Sequence, residues 1–370
     1  MNALYVVSHA VSSGPVNQAL NILHGMKLNN KVSDTLVTID AGDDKNNWIS
    51  RFRENNINVT QLNIKSKYNI IKAVRELRKL IRLEDIDIVH CSGFRVNIIC
   101  LLASKGLCNV VSTIRSEPSA VSELFPVILR PLVRKICIFS IKQIPVKVAC
   151  SKAMQTIYNH DYNIKMECVQ NGVDTNFFCP LSDEKKRLLR KKLGLRDART
   201  FLVLGLLLPR KNNAIIIDAF KRVDSTFGNL IIVGGGPEEG ALKKKAQDVS
   251  NILFVGQTDA PLEYIQSSDF LISASLAEGL PNTVLEAISC GLIPLLSDIT
   301  PHKEIVDNTC VSHLFKRNSV EDLLRLLKEI KNWDLKDQSR FARELAMSNH
   351  GVRTLALQYE KIYEKAVIKN

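Results

Sequence analysis

The sequence predicts an α/β protein of two doubly wound, Rossmann-like domains facing a cleft. Three observations carry this. At 370 residues the chain exceeds the roughly 250–300 at which one core stops growing. Short apolar runs alternate with helical patterns nearly throughout, as parallel strands covered by helices do. The alternation restarts at Phe201, after the charged stretch 182–199.

Taken in order, residues 4–8 read as a first strand and Ser12-Ser-Gly-Pro-Val16 as a turn. A helix follows over 16–26, with Gly14 before it and Pro15 near its first position, where proline's fixed φ suits a helix start. Further strands are expected at 33–39, 86–90, 110–114, 146–150 and 167–170, before Asn171-Gly172 breaks the pattern. The second series has strands at 201–205, 230–233, 252–255, 270–274 and 293–297, with helices between them. The last segment places Leu355, Leu357, Tyr359, Ile362, Tyr363 and Val367 at helical spacing and reads as an amphipathic helix over 352–368. The boundary falls near 174–180, giving domains 1–175 and 176–351. Ligands of such sheets lie at the carboxyl ends of strands.

Composition narrows the class. Hydrophobic residues at 45% and charged residues at 24% are those of an ordinary globular chain. The first eight residues carry no basic leader and read as a buried strand, and no apolar run approaches the roughly 18 residues of a membrane-spanning helix. A cytoplasmic location is expected. Nine cysteines form no CxxC pair, which favours reduced, buried thiols. His90 beside Cys91 is the one close His/Cys pair, so no metal site is expected unless ligands converge from distant segments.

The net charge of +12 asks for an anionic partner. Nucleic acid is not expected, because aromatic residues, 6% of the chain, do not interleave with the basic ones as a stacking surface requires. From Leu124 to His160 there is no acidic residue, while Arg130, Arg134, Lys135, Lys142, Lys147 and Lys152 punctuate apolar stretches. Two readings stand: a surface for the anionic inner face of a membrane or a lipid-linked diphosphate, and a core helix with a solvated basic edge.

The chemistry-bearing motifs cluster in the second half. Glu278-Gly-Leu-Pro-Asn-Thr-Val-Leu-Glu286 sets two carboxylates across a loop that runs into a helix. A carboxylate accepts from neighbouring hydroxyls of a sugar or ribose, and amides at a helix start receive a diphosphate. Glu286 also fits a capping box with Thr283; Glu278 has no such explanation. Pro209-Arg210-Lys211-Asn212 follows the first strand of this half, where adjacent cations either neutralise a diphosphate or form a solvated turn. Gly234-Gly235-Gly236-Pro237 opens a helix after a strand, as a phosphate loop or as plain scaffolding. Asp269 reads as structural. In the first half His90 reads as a satisfied strand-end residue and Arg115 as a cation in need of an anion or solvent. GxxxxGK[ST] and GxGxxG patterns are absent, which disfavours P-loop and nicotinamide enzymes.

Together these segments resemble glycosyltransferase family 4, retaining enzymes of the GT-B architecture. The resemblance spans nearly the whole chain and is strongest over 201–306; Asp87-Ile-Val-His90, Ala149-Cys-Ser-Lys152 and Asn171-Gly-Val-Asp174 also resemble family landmarks. It implies an N-terminal acceptor-binding domain rejoined by the terminal helix 352–370, and a C-terminal nucleotide-sugar-binding domain. It further implies metal-independent transfer without a cofactor: a hexose or N-acetylhexosamine moves from a nucleotide diphosphate sugar, UDP-linked, with retention. The acceptor is a glycan, lipid-diphosphate-linked, in O-antigen or capsule synthesis, at the inner membrane through 124–160. Carried over by position, Glu278 meets the donor sugar and Glu286 the ribose. Arg210 and Lys211 hold the diphosphate with Gly14, Gly235 and the amides of Leu280, Pro281, Asn282 and Thr283. The chain departs from the pattern at two places. Leu206 stands where many members have a phosphate-binding arginine, and Arg115 where many have histidine. Leu206 opens an alternative, a catalytically silent nucleotide-sugar-binding protein of the same fold.

Overall fold

The computed structural model describes residues 1–11, 13–41, 48–66, 68–307 and 309–368. Ser12, the first residue of the expected 12–16 turn, lies outside the described residues. The elements in chain order are β1 (Asn2–Val7), α1 (Gly14–Asn29), β2 (Ser33–Asp40), α2 (Ile49–Glu54), β3 (Asn58–Ile64), α3 (Ile70–Leu83), β4 (Ile88–Cys91), α4 (Phe94–Ser104), β5 (Asn109–Ile114), α5 (Pro118–Glu123), α6 (Arg130–Gln143), β6 (Val146–Ala149), α7 (Lys152–Tyr162) and β7 (Glu167–Cys168). There follow α8 (Asp183–Lys192), β8 (Thr200–Leu204), α9 (Ala214–Phe220), β9 (Asn229–Val233), α10 (Glu239–Lys245), β10 (Ile252–Gly256), α11 (Pro261–Ser267), β11 (Phe270–Ser273), α12 (Asn282–Ser289), β12 (Ile293–Ser297), α13 (Thr300–Val306), β13 (His313–Phe315), α14 (Val320–Glu329), α15 (Leu335–His350) and α16 (Val352–Ile368).

The chain forms two compact units, Met1–Gly172 with the chain from Val352 onward, and Val173–Gly351. In the N-terminal unit a seven-stranded sheet has the order β3-β2-β1-β4-β5-β6-β7, and the pairings are parallel. Alternate residues of β1 enter different cores: Ala3, Tyr5 and Val7 pack with α1 and α16, Leu4 and Val6 with α3 and α4. A strand covered on both faces has no polar alternation, which is why 4–8 reads as a continuous apolar run.

The C-terminal unit repeats the plan with a six-stranded sheet, β10-β9-β8-β11-β12-β13, again parallel in its ladders. Phe201 and Val203 enter one core, Leu202 the other. Asp269 locks the base of this sheet: it pairs with Lys186 at 2.7 Å and Arg190 at 2.6 Å on α8 and accepts from the Thr200 amide at 2.9 Å. Its structural reading is therefore correct. The expected α/β, doubly wound class is the observed one.

Two strands escaped the sequence reading. β3 is an edge strand whose side chains are mostly half-exposed, and β13 is an edge strand of three residues; neither presents the apolar run that marks a buried strand. No disulfide joins the cysteines among the described residues; five are buried, and Cys310 is exposed.

The terminal helix α16 packs on α1 in the N-terminal unit, placing Leu355, Ala356, Tyr359, Ile362 and Tyr363 in one core with Ala19, Ile22, Leu23 and Met26. Gly25 lets the two backbones approach: a Cβ there would lie 2.1 Å from the Val352 carbonyl oxygen and 2.8 Å from the Ala356 Cβ. Backbone cannot swing aside as a side-chain tip can. Gly25→Ala is expected to destabilise this unit by about 1–3 kcal/mol, read as a lower urea midpoint with an unchanged m-value.

Candidate active site

In the C-terminal unit the strand order reverses between β8 and β11, so the loops after their carboxyl ends lie side by side where such sheets bind ligands. The first loop makes one tight turn, Pro209–Lys211, closed by Asn212 at φ 51° before α9. The Leu276 amide of the second loop donates to the Arg210 carbonyl at 2.8 Å. This stitch brings Arg210, Lys211 and Glu278 together. The Arg210 Nη1 donates to Glu278 Oε2 at 3.1 Å and to the Ala277 carbonyl at 3.0 Å, and the Lys211 ammonium donates to Glu278 Oε1. The Ser275 hydroxyl adds a third donor to the same carboxylate, at 2.8 Å. Glu278 is 8% exposed and Arg210 48%, so the carboxylate is seated while one of its cations reaches solvent. Burial pulls the Glu278 pKa upward, but the charges of Lys211 and Arg210 and the serine hydroxyl outweigh it, and the group titrates below its ordinary range.

Beneath the carboxylate runs a polar chain that lies outside the motifs named above. The Ser275 hydroxyl lies 3.3 Å from that of Ser273, which lies 3.3 Å from His302 Nε2 on α13. His302 Nδ1 lies 2.9 Å from the Ser297 carbonyl oxygen, and the Ser297 hydroxyl donates to the Ser275 carbonyl at 2.6 Å. A signal existed in Ser273-x-Ser275, whose period of two puts both hydroxyls on one face of an extended strand end. His302 is 27 residues further on, and only the sheet brings it there.

Burial holds His302 neutral, with its pKa pushed down to about 4 from 6.5; the Ser297 carbonyl and the Glu278 charge oppose this, and Lys211 reinforces it. Between pH 4 and 6.5 the unfolded histidine binds a proton that the folded one refuses. The stability of this unit is therefore full above about pH 6.5 and falls as pH drops toward 4, by about 3 kcal/mol at most. Urea unfolding of wild type and His302→Gln across that window tests this: the variant is expected to lose most of the slope.

Helix α12 begins at Asn282 with Pro281 as its cap residue and without a side-chain cap bond. This corrects the expected capping box. Thr283 sits inside the first turn, so its hydroxyl cannot serve as the cap and Glu286 cannot close the box. Leu280 and Pro281 are buried, Asn282 and Thr283 half-buried. Thr283 lines a small cavity with Gly205, Leu206, Lys211 and Ser275, which ties the helix start to the cationic loop. Glu286 is half-buried one turn further along, where its charge acts on Cys290. Gly235 accepts from the Leu207 amide at 2.9 Å, joining the glycine-rich loop to the loop after β8.

In the N-terminal unit the order reverses between β1 and β4. Gly14 opens α1 beside the carboxyl end of β1, with no side-chain cap and no acidic residue in the first turn. Arg115 follows β5; its Nη1 donates to Asn171 Oδ1 at 2.5 Å, and its buried Nε finds no hydrogen-bond partner among the described residues. No carboxylate is paired with it among those residues. The surroundings are the phenols of Tyr5 and Tyr359. His90 is a satisfied core residue, as its sequence reading held, with Nδ1 2.7 Å from the Tyr363 hydroxyl and Nε2 2.8 Å from that of Thr113.

Two family profiles match this chain and together take in most of it. The one described as Glycosyltransferase Family 4 matches residues 40–177, and the one described as Glycosyl transferases group 1 matches residues 185–344. The chain is a family 4 glycosyltransferase. This glycosyltransferase is 28% identical over 284 residues, 70% of each chain, to the UDP-Gal:alpha-D-GlcNAc-diphosphoundecaprenol alpha-1,3-galactosyltransferase of Escherichia coli. Over 371 residues, 98% of each chain, it is 24% identical to the O-antigen biosynthesis glycosyltransferase WclY of Escherichia coli. Its fold matches the crystal structure of Anabaena HepE in complex with UDP-glucose, with a TM-score of 0.82 and 16% identity over 99% of this chain and 100% of that one. The architecture is GT-B.

Proposed function

We propose that this glycosyltransferase moves a hexose or N-acetylhexosamine from a UDP-linked sugar, with retention and without a metal or other cofactor. In this reading the acceptor is a lipid-diphosphate-linked glycan of O-antigen or capsule synthesis. The observation that carries the proposal is the Arg210–Lys211–Glu278 cluster at the β8/β11 switch point. Each member is a group for which a nucleotide sugar offers a replacement partner. Diphosphate oxygens substitute for the carboxylate on Arg210 and Lys211, and sugar hydroxyls substitute for the cations on Glu278. The exchange leaves each of the three with a hydrogen-bond partner. Glu286 is assigned to the ribose, and Gly14, Gly235 and the amides of residues 280–283 to the diphosphate. Arg115 is assigned to an anionic group of the donor or acceptor; a half-buried guanidinium with no carboxylate paired to it among the described residues supports that role.

In the transfer the bond from the anomeric carbon to the diphosphate oxygen breaks and its electron pair leaves with the nucleotide. The acceptor oxygen attacks from the same face, and its proton passes to the departing phosphate. Lys211 and Arg210 stabilise the charge that gathers on the leaving group. The names of the two Escherichia coli relatives support the acceptor class. Among the described residues no three or more His, Cys, Asp or Glu side chains group to hold a metal. Among them, too, no helix is long and apolar enough to cross a membrane. Peripheral attachment to the inner face of the cytoplasmic membrane is assigned to 124–160, where Arg134, Lys135 and Lys142 are exposed, as are Leu124, Val127 and Ile128.

The test incubates purified protein with a panel of nucleotide sugars and a polyprenyl-diphosphate-linked sugar, in EDTA, and reads products by mass spectrometry and anomeric configuration by NMR. Product of retained configuration is expected. Binding by calorimetry with neither transfer nor hydrolysis would establish the silent binder instead, for which Leu206, 62% exposed at the expected arginine position, is the motive.

A further inference from the structure

His302 is fully buried yet takes no part in the transfer described above. A histidine in a core loses its hydration, so its ring nitrogens need partners there. Nδ1 lies 2.9 Å from the Ser297 carbonyl oxygen, a group that only accepts, so Nδ1 carries the hydrogen. That leaves Nε2 of the neutral ring to accept from the Ser273 hydroxyl at 3.3 Å. Ser273 is the last residue of β11 and Ser297 the last of β12, and these two strands pair. The ring therefore spans the carboxyl ends of neighbouring strands, at the edge where the candidate donor loops stand.

Glu278 hangs from that span. It sits in residues 274–281, a stretch without helix or strand between β11 and α12, which is held by its contacts rather than by a ladder. The Ser297 hydroxyl donates to the Ser275 carbonyl at 2.6 Å, and the Ser275 hydroxyl lies 3.3 Å from that of Ser273 and donates to Glu278 Oε1 at 2.8 Å. Both residues that His302 engages thus bear on Ser275, one on its backbone and one on its side chain. The support is rigid. Ile305 and Val306 of α13 pack with Leu285 and Ile288 of α12 and Leu296 of β12 in one core, so the ring is fixed by the packing that also fixes the helix carrying Glu286. Histidine suits this place because a neutral imidazole offers one donor and one acceptor without a charge; a lysine or arginine there would pair with Glu278 and compete with sugar hydroxyls. Burial keeps the ring neutral. We propose that His302 is a positioning residue of the transfer: by tying Ser297 to Ser273 it sets Ser275, and through Ser275 it aims the Glu278 carboxylate at the donor sugar. This rests on the donor reading proposed above.

Three measurements test it. Calorimetry compares UDP-galactose, UDP-glucose and UDP on wild type, His302→Leu and Ser273→Ala; the second variant removes the Nε2 contact at a half-buried residue, should the leucine impair folding. In both variants the sugar nucleotides are expected to bind about five- to tenfold more weakly. UDP has no sugar for Glu278 to hold, so its affinity should change by less than about twofold. An equal loss on all three ligands would mean that His302 only stabilises the unit, and would overturn the proposal. In kinetics, His302→Leu is expected to lower kcat/KM about tenfold in the wild-type background but less than about twofold in the Glu278→Gln background, where nothing is left to aim. The same loss in both backgrounds would refute it. Hydrogen exchange needs no ligand. The Leu276 amide is expected to exchange about tenfold faster in His302→Leu, with the Ile231 and Ile232 amides of β9 unchanged; uniform acceleration, or none, would show that the ring does not hold the Glu278 loop. A wild type that neither binds nor transfers from a nucleotide sugar would sink the donor reading, and the Leu276 amide would still decide whether His302 seats that loop.

Discussion

Glu278→Gln is expected to reduce transfer by about 10²–10³-fold in kcat/KM with little loss of stability. The amide keeps the shape and still accepts from Ser275, but it no longer carries the charge that aligns Lys211 and Arg210. In the wild type the carboxylate is nearly buried, with three donors converging on it. Its seat is set by two loops that the Leu276 amide clamps independently of the side chain. Removing one preorganised electrostatic contact in a desolvated site costs on the order of 2.7–4 kcal/mol of transition-state stabilisation. Steady-state kinetics with saturating donor give the kcat effect, and thermal unfolding gives the structural control. A variant within threefold of wild type would remove Glu278 from the machinery. Glu278→Ala is the weaker test, because it leaves a mostly buried ammonium without its carboxylate and mixes a folding penalty with the catalytic one.

Gly234→Ala is expected to damage the C-terminal unit more than any other single methyl discussed here. Gly234 has φ +132°, and a Cβ there would lie 2.0 Å from the Gly205 carbonyl oxygen. The two glycines sit where the ladder between β8 and β9 runs past the strand ends, through Gly205 amide to Val233 carbonyl at 3.0 Å and Leu207 amide to Gly235 carbonyl at 2.9 Å. The loop carrying Arg210 and Lys211 starts from that seam. Backbone strain of about 1–3 kcal/mol adds to the clash, so a loss of about 4 kcal/mol or more is expected, read by urea unfolding. Gly205→Ala separates the two causes. Gly205 has the same φ, +132°, but a Cβ there meets nothing within 4 Å, so it should lose only the strain. Equal losses in both variants would refute the steric argument.

The strands most legible in the sequence were the central ones. Residues 201–205, 230–233 and 293–296 are apolar throughout because helices cover both sheet faces, and such runs are visible one residue at a time. β3 and β13 were missed because an edge strand satisfies half its backbone groups with solvent and needs no apolar signature. The Thr283/Glu286 box failed for a related reason: the spacing exists in the sequence, but where the helix starts is decided by Pro281 and its neighbours.

Residue identity alone supplied the carboxylate at 278, the cations at 210 and 211 and the acid-free stretch, since charge and hydrophobicity are properties of single side chains. The pairing of Glu278 with partners 67 and 68 residues earlier and the placing of His302 under Ser273 came from strand order and helix packing. Those are decided by which elements become neighbours in the folded chain, and no local pattern of residues encodes a distance across a sheet.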